Sequence, residues 1–494
     1  MRSPGTWWNG LATGGGIAAA FGAAACCALP LALASAGVGS AWLGSIAPIA
    51  AMAEAFDFIA IGSGTAAQVA VHRMADAGKR CAVIDYRPYG GTCALRGCDP
   101  KKMMVSGEEA LAAFRRMNGK GIRGSASINW GGLQAFKRSF TDPVPGKQEA
   151  RYDRKGIATF HGAARFTGPD RLAVEDQELQ FSHALIATGA IPRPLGITGE
   201  QLLTHSDAFL NLDTLPERIV FVGGGYIAAE FAHLAARAGS KVTIVQRGRV
   251  LKAFDPDIVD WLMPSFGQLG IEIVDAEVTG LRAAGETLEV EAGNRVIETD
   301  LAVHAAGRGP ALGKLDLEAG NVASDDERLL LTAQLRSQSN GKVFAAGDAA
   351  AKGPPLTPVS SHDAKVVVEN ILDNGDRTPN YDGVPSALFT EPPAARVGML
   401  ESEAREAGLE FNVNAGSHPE WFSARRLNAQ IYGHKLLIQV GTGRILGAHL
   451  VGPDADELIN VFGLAIRHGL TADDIKSTMF AYPTAASDAG YMVG

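Results

Sequence analysis

Five cysteines in 494 residues are too few for a secreted scaffold held by disulfides. A basic excess is missing as well: the formal net charge is -8 and the pI about 5.8, so the totals imply no face for nucleic acid. No long run of single-sign charge occurs, and no second Cys or His pair stands at zinc-ligand spacing. The N-terminal stretch lacks charge altogether, with no Asp, Glu, Lys or Arg between Arg2 and Glu54. A bilayer needs about twenty apolar residues per helical span, so one span fits, or two short ones. The stretch exceeds a secretory apolar region of about 7–15 residues, and Ala51-Met52-Ala53 resembles a cleavage site only faintly. Met52 could instead begin a soluble enzyme, the preceding segment then being a misread frame or a fused fragment.

What is present is organised around Gly90-Gly91-Thr92-Cys93-Ala94-Leu95-Arg96-Gly97-Cys98-Asp99-Pro100-Lys101-Lys102. Four residues separate the cysteines, so one helical turn would bring the sulfurs together as a bond that opens and closes, storing two electrons. The alternatives are a structural bridge, which would stabilise little over so short a loop, and half of a zinc site, which lacks its other half. Cys81, in an apolar strand, reads as core.

Two dinucleotide-binding patterns flank this stretch. Phe56–Ile61 predicts a strand, Gly62-Ser63-Gly64-Thr65-Ala66-Ala67 a G-x-G-x-x-A turn, and Cys81–Ile84 a second strand ending at Asp85. Gly62, Gly64 and Ala67 would let a pyrophosphate reach the helix N-terminus, and Asp85 would accept from a ribose hydroxyl. Arg218–Val222 with Gly223-Gly224-Gly225-Tyr226-Ile227-Ala228 repeats the pattern, but its second strand, Lys241–Val245, ends at Gln246 rather than an acid. Arg247 and Arg249 follow and suit a 2′-phosphate, which favours NADPH over NADH. Further on, Lys435–Val440 and Ile445–Val451 alternate as antiparallel strands about a Gly441-Thr442-Gly443 turn, with helices from Ala455 to His468 and from Thr471.

The run G-G-T-C-x-x-x-x-G-C-x-P-K-K resembles the mark of the flavoprotein disulfide reductases, the family of glutathione reductase, dihydrolipoamide dehydrogenase and mercuric reductase. Ala187-Thr188-Gly189, Ala305-Ala306-Gly307-Arg308-Gly309-Pro310, Val343–Asp348, Leu356-Thr357-Pro358 and Phe389–Gly398 resemble later family segments in the family's order. The resemblance implies an α/β chain of two Rossmann-like domains, for FAD and NADPH, plus an α+β dimerisation domain; the uncharged N-terminal stretch adds an apolar, membrane-type segment ahead of them. The corresponding divisions are 1–53 for that segment, 54–195 and 313–378 for FAD, 196–312 for NADPH, and 379–494 for dimerisation. By the same resemblance Cys93 is the distal sulfur facing substrate, Cys98 the sulfur beside the flavin, and Lys101 the cation near it, paired with Glu230. Tyr226 would cover the nicotinamide pocket. Gly62, Gly64, Ala67, Asp85, Gly91, Thr92, Thr188, Gly189, Asp348 and Thr357 would hold FAD. Gly223, Gly225, Tyr226, Ile227, Arg247, Arg249 and Gly307 would serve the second nucleotide.

One segment departs from that pattern. Disulfide-reducing members carry a His-Pro pair followed by a glutamate, whereas here Tyr482 precedes Pro483 and Ser487 stands for the acid. A tyrosine, with an unperturbed pKa of about 10, protonates a leaving thiol poorly. Capturing a soft metal ion needs deprotonated sulfurs and no such acid. Mercuric reductases similarly lack the histidine, although they end in a vicinal cysteine pair and this chain ends Gly490-Tyr491-Met492-Val493-Gly494. A vicinal pair does occur at Cys26-Cys27, where Thr13–Ile17, Ala25–Leu31 and Gly39–Gly44 resemble the first membrane helix of mercuric transport proteins. Cys93, Cys98, Cys26 and Cys27 are therefore the metal candidates. The expected acceptor is a soft metal ion, Hg(II) first. The alternative is a small or protein disulfide with Tyr482 or Asp488 as acid, and a third reading is a membrane metal-binding module with a vestigial flavin domain. The expected assembly is a homodimer with a cytosolic enzymatic part, tied to the membrane through residues 10–52 if that segment is native.

Overall fold

A computed structural model describes residues 53–325 and 327–494; the apolar segment, with Cys26 and Cys27, lies outside them. No helix among the described residues is long and apolar enough to cross a membrane.

The first layer is a sheet of seven strands. Strand β1 (Glu54–Ile61) leads through helix α1 (Thr65–Asp76) to β2 (Cys81–Asp85), which lies parallel to β1 with Phe58 opposite Cys81 and Ile61 opposite Ile84. Residues with no polar edge to satisfy fill both faces of these strands, as parallel strands covered by helices require. Helix α2 (Gly91–Arg96) and helix α3 (Cys98–Met117) follow, before β3 (Ala158–His161) joins the outer side of β2. Strands β4 (Ala164–Gly168) and β5 (Arg171–Val174) pair antiparallel, and β6 (Gln177–Ile186) returns the chain to the centre.

The second sheet is parallel, in the order β9-β8-β7-β10, from β7 (Arg218–Val222), β8 (Lys241–Gln246), β9 (Glu272–Asp275) and β10 (Leu301–His304), with helix α4 (Tyr226–Ala238) crossing between the first two. Alternation along β7 sets its two faces: Ile219 and Phe221 pack under α4, while Val220 and Val222 pack on the antiparallel ribbon that carries Leu281 and Val290. Strand β11 (Val343–Ala345) then rejoins the first sheet beside β6, and helix α5 (Thr357–Asp373) packs on α1.

Strands β12 (Ser386–Leu388), β13 (Ala394–Gly398), β14 (Phe411–Ser417), β15 (Gly433–Gln439) and β16 (Ile445–Val451) form the last, antiparallel sheet, in the order β12-β13-β16-β15-β14. Helix α6 (Ala455–His468) covers it with Leu458, Ile459 and Phe462. The turn between β15 and β16 needs left-handed backbone at Gly441 (φ 80°) and Gly443 (φ 66°), as the sequence predicts.

Two polar ties position the site. Along α3 and α4, Lys101 meets Glu230 at 2.7 Å and, seven residues on in each helix, Glu108 meets Arg237 at 2.9 Å with the charges exchanged. The second tie joins the last sheet to the loop before the helix Pro256–Gln268: Lys435, 4% exposed, reaches Asp257 and Glu401 at 2.7 Å and Asp255 at 3.2 Å. Burial works against this ammonium, but the three carboxylates hold its pKa above the ordinary lysine range. Asp255 is fully buried, so losing the cation would strand a carboxylate away from water. Lys435→Ala is expected to lower unfolding stability by about 3 kcal/mol, the lower end of the range for a broken buried pair, because Asp257 and Glu401 keep some access to solvent. Urea unfolding checks this; a loss below about 1 kcal/mol, the value of a surface pair, would show the tie to be dispensable.

Candidate active site

Residues of the first sheet, of helix α4 and of the last sheet line one cavity of about 1090 Å³. Its volume matches the upper range for pockets that bury a large ligand. Gly62, Gly64, Asp85, Gly91, Thr92, Cys93, Cys98, Lys101, Thr188, Gly189, Tyr226, Ile227, Glu230, Asp348 and Thr357 all line it. Ala67 is buried beneath the first glycine turn instead.

At one end two backbones approach closely. A Cβ on Gly91 (φ 76°) would fall 2.3 Å from Gly64 Cα, and one on Gly62 (φ 105°) would fall 2.3 Å from the Ala187 carbonyl oxygen. Glycine at these points leaves the N-terminus of α1 open to a diphosphate. Asp85 is already engaged: its Oδ2 accepts from the Ser63 N–H (2.9 Å) and the Ser63 hydroxyl (2.7 Å), and its Oδ1 from the Arg87 N–H (2.9 Å). A carboxylate offers about four acceptor sites, so room for a ribose hydroxyl remains. The Ser63 hydroxyl also accepts from the Gly90 N–H at 3.2 Å, which ties the turn to the redox stretch. Farther along the wall the Thr188 hydroxyl is buried without a partner, and burial raises the pKa of Asp348. The cradle, the unpartnered donor and the carboxylate fit FAD, which when bound here supplies hydride acceptance from nicotinamide and donation to a disulfide.

At the other end lie the sulfurs, both free thiols. A single helical turn does not join them. Cys93 sits in α2, Cys98 is the first residue of α3, and the chain breaks at Gly97 (φ -140°, ψ -114°). Thr357, the first residue of α5, brings them together: its hydroxyl donates to Cys93 Sγ at 3.0 Å and lies 3.5 Å from Cys98 Sγ. The hydrogen bond with Cys93 is the main cause that pushes Cys98 down to about 6, helped by Thr357 and the Lys101 charge and opposed by burial. Its place at a helix N-terminus acts in the same direction. Cys93 moves well upward, through its bond to Cys98 and through burial. The reduced pair thus holds one proton, on Cys93, with the negative charge on Cys98.

Lys101 keeps its place because Glu230, 1% exposed, binds it with one oxygen while the other accepts from the Phe389 N–H at 2.9 Å. Lys101 also lies 4.7 Å from the centre of the Phe389 ring. Lys102 is a surface cation, paired with Glu109 at 2.5 Å. Tyr226, half exposed, stands at the N-terminus of α4.

The second nucleotide pattern lies outside the cavity lining except for Tyr226 and Ile227. A Cβ on Gly223 (φ 104°) would meet the Ala305 carbonyl at 2.5 Å, and Gly225 precedes the first turn of α4. Gln246 takes the acid's place by accepting from the Gly224 N–H at 2.7 Å. Arg247 is 75% exposed, with Glu277 no nearer than 3.4 Å, whereas Arg249 is held by Asp260 at 2.6 Å. The carbonyl of Gly307 (φ 110°) accepts from the Arg193 N–H at 3.1 Å, tying the end of this domain to the crossover.

Within one chain Tyr482 does not join the sulfurs: it is 79% exposed and absent from the cavity lining. Asp488 turns inward and accepts from the Tyr432 hydroxyl at 2.7 Å, so it is a buried anchor rather than a ready proton donor. Ser63 was concealed as a variable position of its motif; a polar residue there was the signal.

Two glycine-turn nucleotide folds, one lining the cavity and the other reaching it through the start of α4, beside a sulfur pair define a two-cofactor oxidoreductase. The chain belongs to the pyridine nucleotide-disulphide oxidoreductase family, whose model matches residues 56–364, with the family's dimerisation domain matching 384–492. Its cofactors are FAD and a pyridine nucleotide. It is 32% identical over 446 residues to a dihydrolipoyl dehydrogenase of Staphylococcus aureus, covering 87% of this chain and 94% of that one. To a mercuric reductase of the same organism it is 30% identical over 447 residues, covering 87% and 80%. Among solved structures, the Cu(II) complex of the HOCl-induced flavoprotein disulfide reductase RclA from Escherichia coli superposes with a TM-score of 0.81 at 27% identity, over 89% of this chain and 99% of that one.

The thiolate assignment is open to titration. Ultraviolet thiolate absorbance of the reduced protein, less that of Cys98→Ser, should rise with a midpoint near pH 6. Lys101→Ala and Thr357→Ala should each move the midpoint up, by about one unit for loss of a neighbouring charge. A midpoint unchanged in both variants would remove these groups from the account.

Proposed function

We propose that this enzyme passes electrons from NADPH through FAD and the Cys93/Cys98 pair to a soft metal ion, Hg(II) first. The overall change is NADPH + Hg²⁺ giving NADP⁺, H⁺ and Hg⁰. The observation that carries this reading is the contrast between a Cys98 thiol pushed down to about 6 and a tyrosine, Tyr482, at the sequence position where disulfide reducers place a histidine acid. A thiolate pair suits a soft cation, and metal capture releases a proton rather than requiring one. The Cu(II) bound to the similar Escherichia coli flavoprotein and the mercuric reductase among the relatives support a metal acceptor. A disulfide acceptor is the second reading, favoured by the dihydrolipoyl dehydrogenase likeness. Two subunits are taken to associate through the dimerisation domain, which would carry the Tyr482 loop of each to the other's sulfurs.

NADPH oxidation by the purified protein with mercuric ion and excess thiol, set beside glutathione disulfide and lipoamide, decides between these acceptors. Turnover with mercury alone is expected; turnover confined to a disulfide would reverse the order. For the nucleotide, Arg247, exposed and held only by Glu277 at 3.4 Å, is the cation more readily turned to a 2′-phosphate, so Arg247→Ala should raise the KM for NADPH about tenfold, as for loss of a charge-assisted hydrogen bond, with little change for NADH. Equal changes for the two would refute the phosphate role.

A further inference from the structure

Asp99 follows Cys98 directly, and its Oδ1 stands 3.9 Å from Cys93 Sγ, close enough for the thiol to donate to it. Its side chain is exposed and does not line the flavin cavity, whereas Cys93 does, so the carboxylate lies on the outer side of that sulfur. Among the described residues no lysine or arginine forms an ion pair with it: Lys101 is committed to Glu230, and Lys102 to Glu109 and Asp456. An unpaired negative charge therefore stands where an acceptor must arrive.

We propose that Asp99 is a specificity-determining residue whose charge admits cationic acceptors to Cys93 and turns anionic ones away. The inference rests on Cys93 as the sulfur that meets substrate and not on which substrate it meets. At about 4 Å with the dielectric of water, one unit charge changes the local concentration of a singly charged reagent about fivefold. Salt weakens the effect. Soft metal cations gain from it, and glutathione disulfide, with its carboxylates, loses. The helix N-terminus at Cys98 favours anions, so Asp99 offsets, at the outer sulfur, the field that the inner sulfur uses.

Stoichiometric alkylation of the reduced holoenzyme separates charge from shape. Cys93 sulfur, once its proton has passed to the Cys98 thiolate, displaces iodide from iodoacetate, an anion, or from iodoacetamide, which is neutral and nearly the same size; Cys93→Ser and Cys98→Ser, each alkylated alone, identify the labelled sulfur. Asp99→Asn should raise the iodoacetate-to-iodoacetamide rate ratio about fivefold, and Asp99→Glu should restore the native ratio. A merely structural role would change both rates together and leave the ratio alone. If Asp99→Asn does not fold, the native protein still answers: its ratio should rise with ionic strength. A ratio unmoved by both the substitution and salt overturns the proposal. Neither measurement uses a metal, so a failure of mercury turnover and a failure of this inference are separate results.

Discussion

Three parts of the chain converge on one buried carboxylate. Glu230, on α4, binds Lys101 of α3 with one oxygen and the Phe389 N–H, just before the last sheet's central strands, with the other. A carboxylate so enclosed is costly unless all its partners are present, so the pair specifies an arrangement more than it stabilises one. Its consequence is positional: the helix that begins at Cys98 cannot slide against the helix that begins at Tyr226. The Glu108–Arg237 pair two turns farther on repeats the constraint, and Arg237 also donates to the Glu391 carbonyl at 3.1 Å. With the two pairs seven residues apart in each helix, rotation of either helix would break at least one.

The same arrangement explains how one proton is apportioned between two thiols. The Thr357 hydroxyl lies within reach of both sulfurs, and Cys98 is stabilised by the Cys93 thiol, by Thr357, by the Lys101 charge and by the start of α3. Each contribution is modest, but all act on one atom in the same direction.

Much of this was legible in the sequence. Strand, glycine turn, helix and second strand are local patterns, and the structure places Phe56–Ile61, Cys81–Asp85, Arg218–Val222 and Lys241–Gln246 in strands, with the turns between them. The Lys101–Glu230 contact, implied only by family likeness, is present at 2.7 Å. What escaped were relations between distant residues. Nothing near Ser63 announces that its hydroxyl anchors Asp85, 22 positions away, and nothing near Thr357 announces that it spans two sulfurs. Asp488, read as a candidate acid, proved to be committed to Tyr432, because a buried carboxylate takes the nearest donor. The single helical turn expected between the cysteines failed at Gly97, where the backbone leaves helical geometry.

That break has a mechanical meaning. Had the sulfurs shared one turn, closing and opening the bond between them would have flexed a helix and its hydrogen bonds at every cycle. Mounted on two separate rods that meet at a residue without a side chain, the sulfurs belong to no shared helical ladder. Each rod keeps its own ladder intact, and the catalytic cycle need not disturb the scaffold on which it runs.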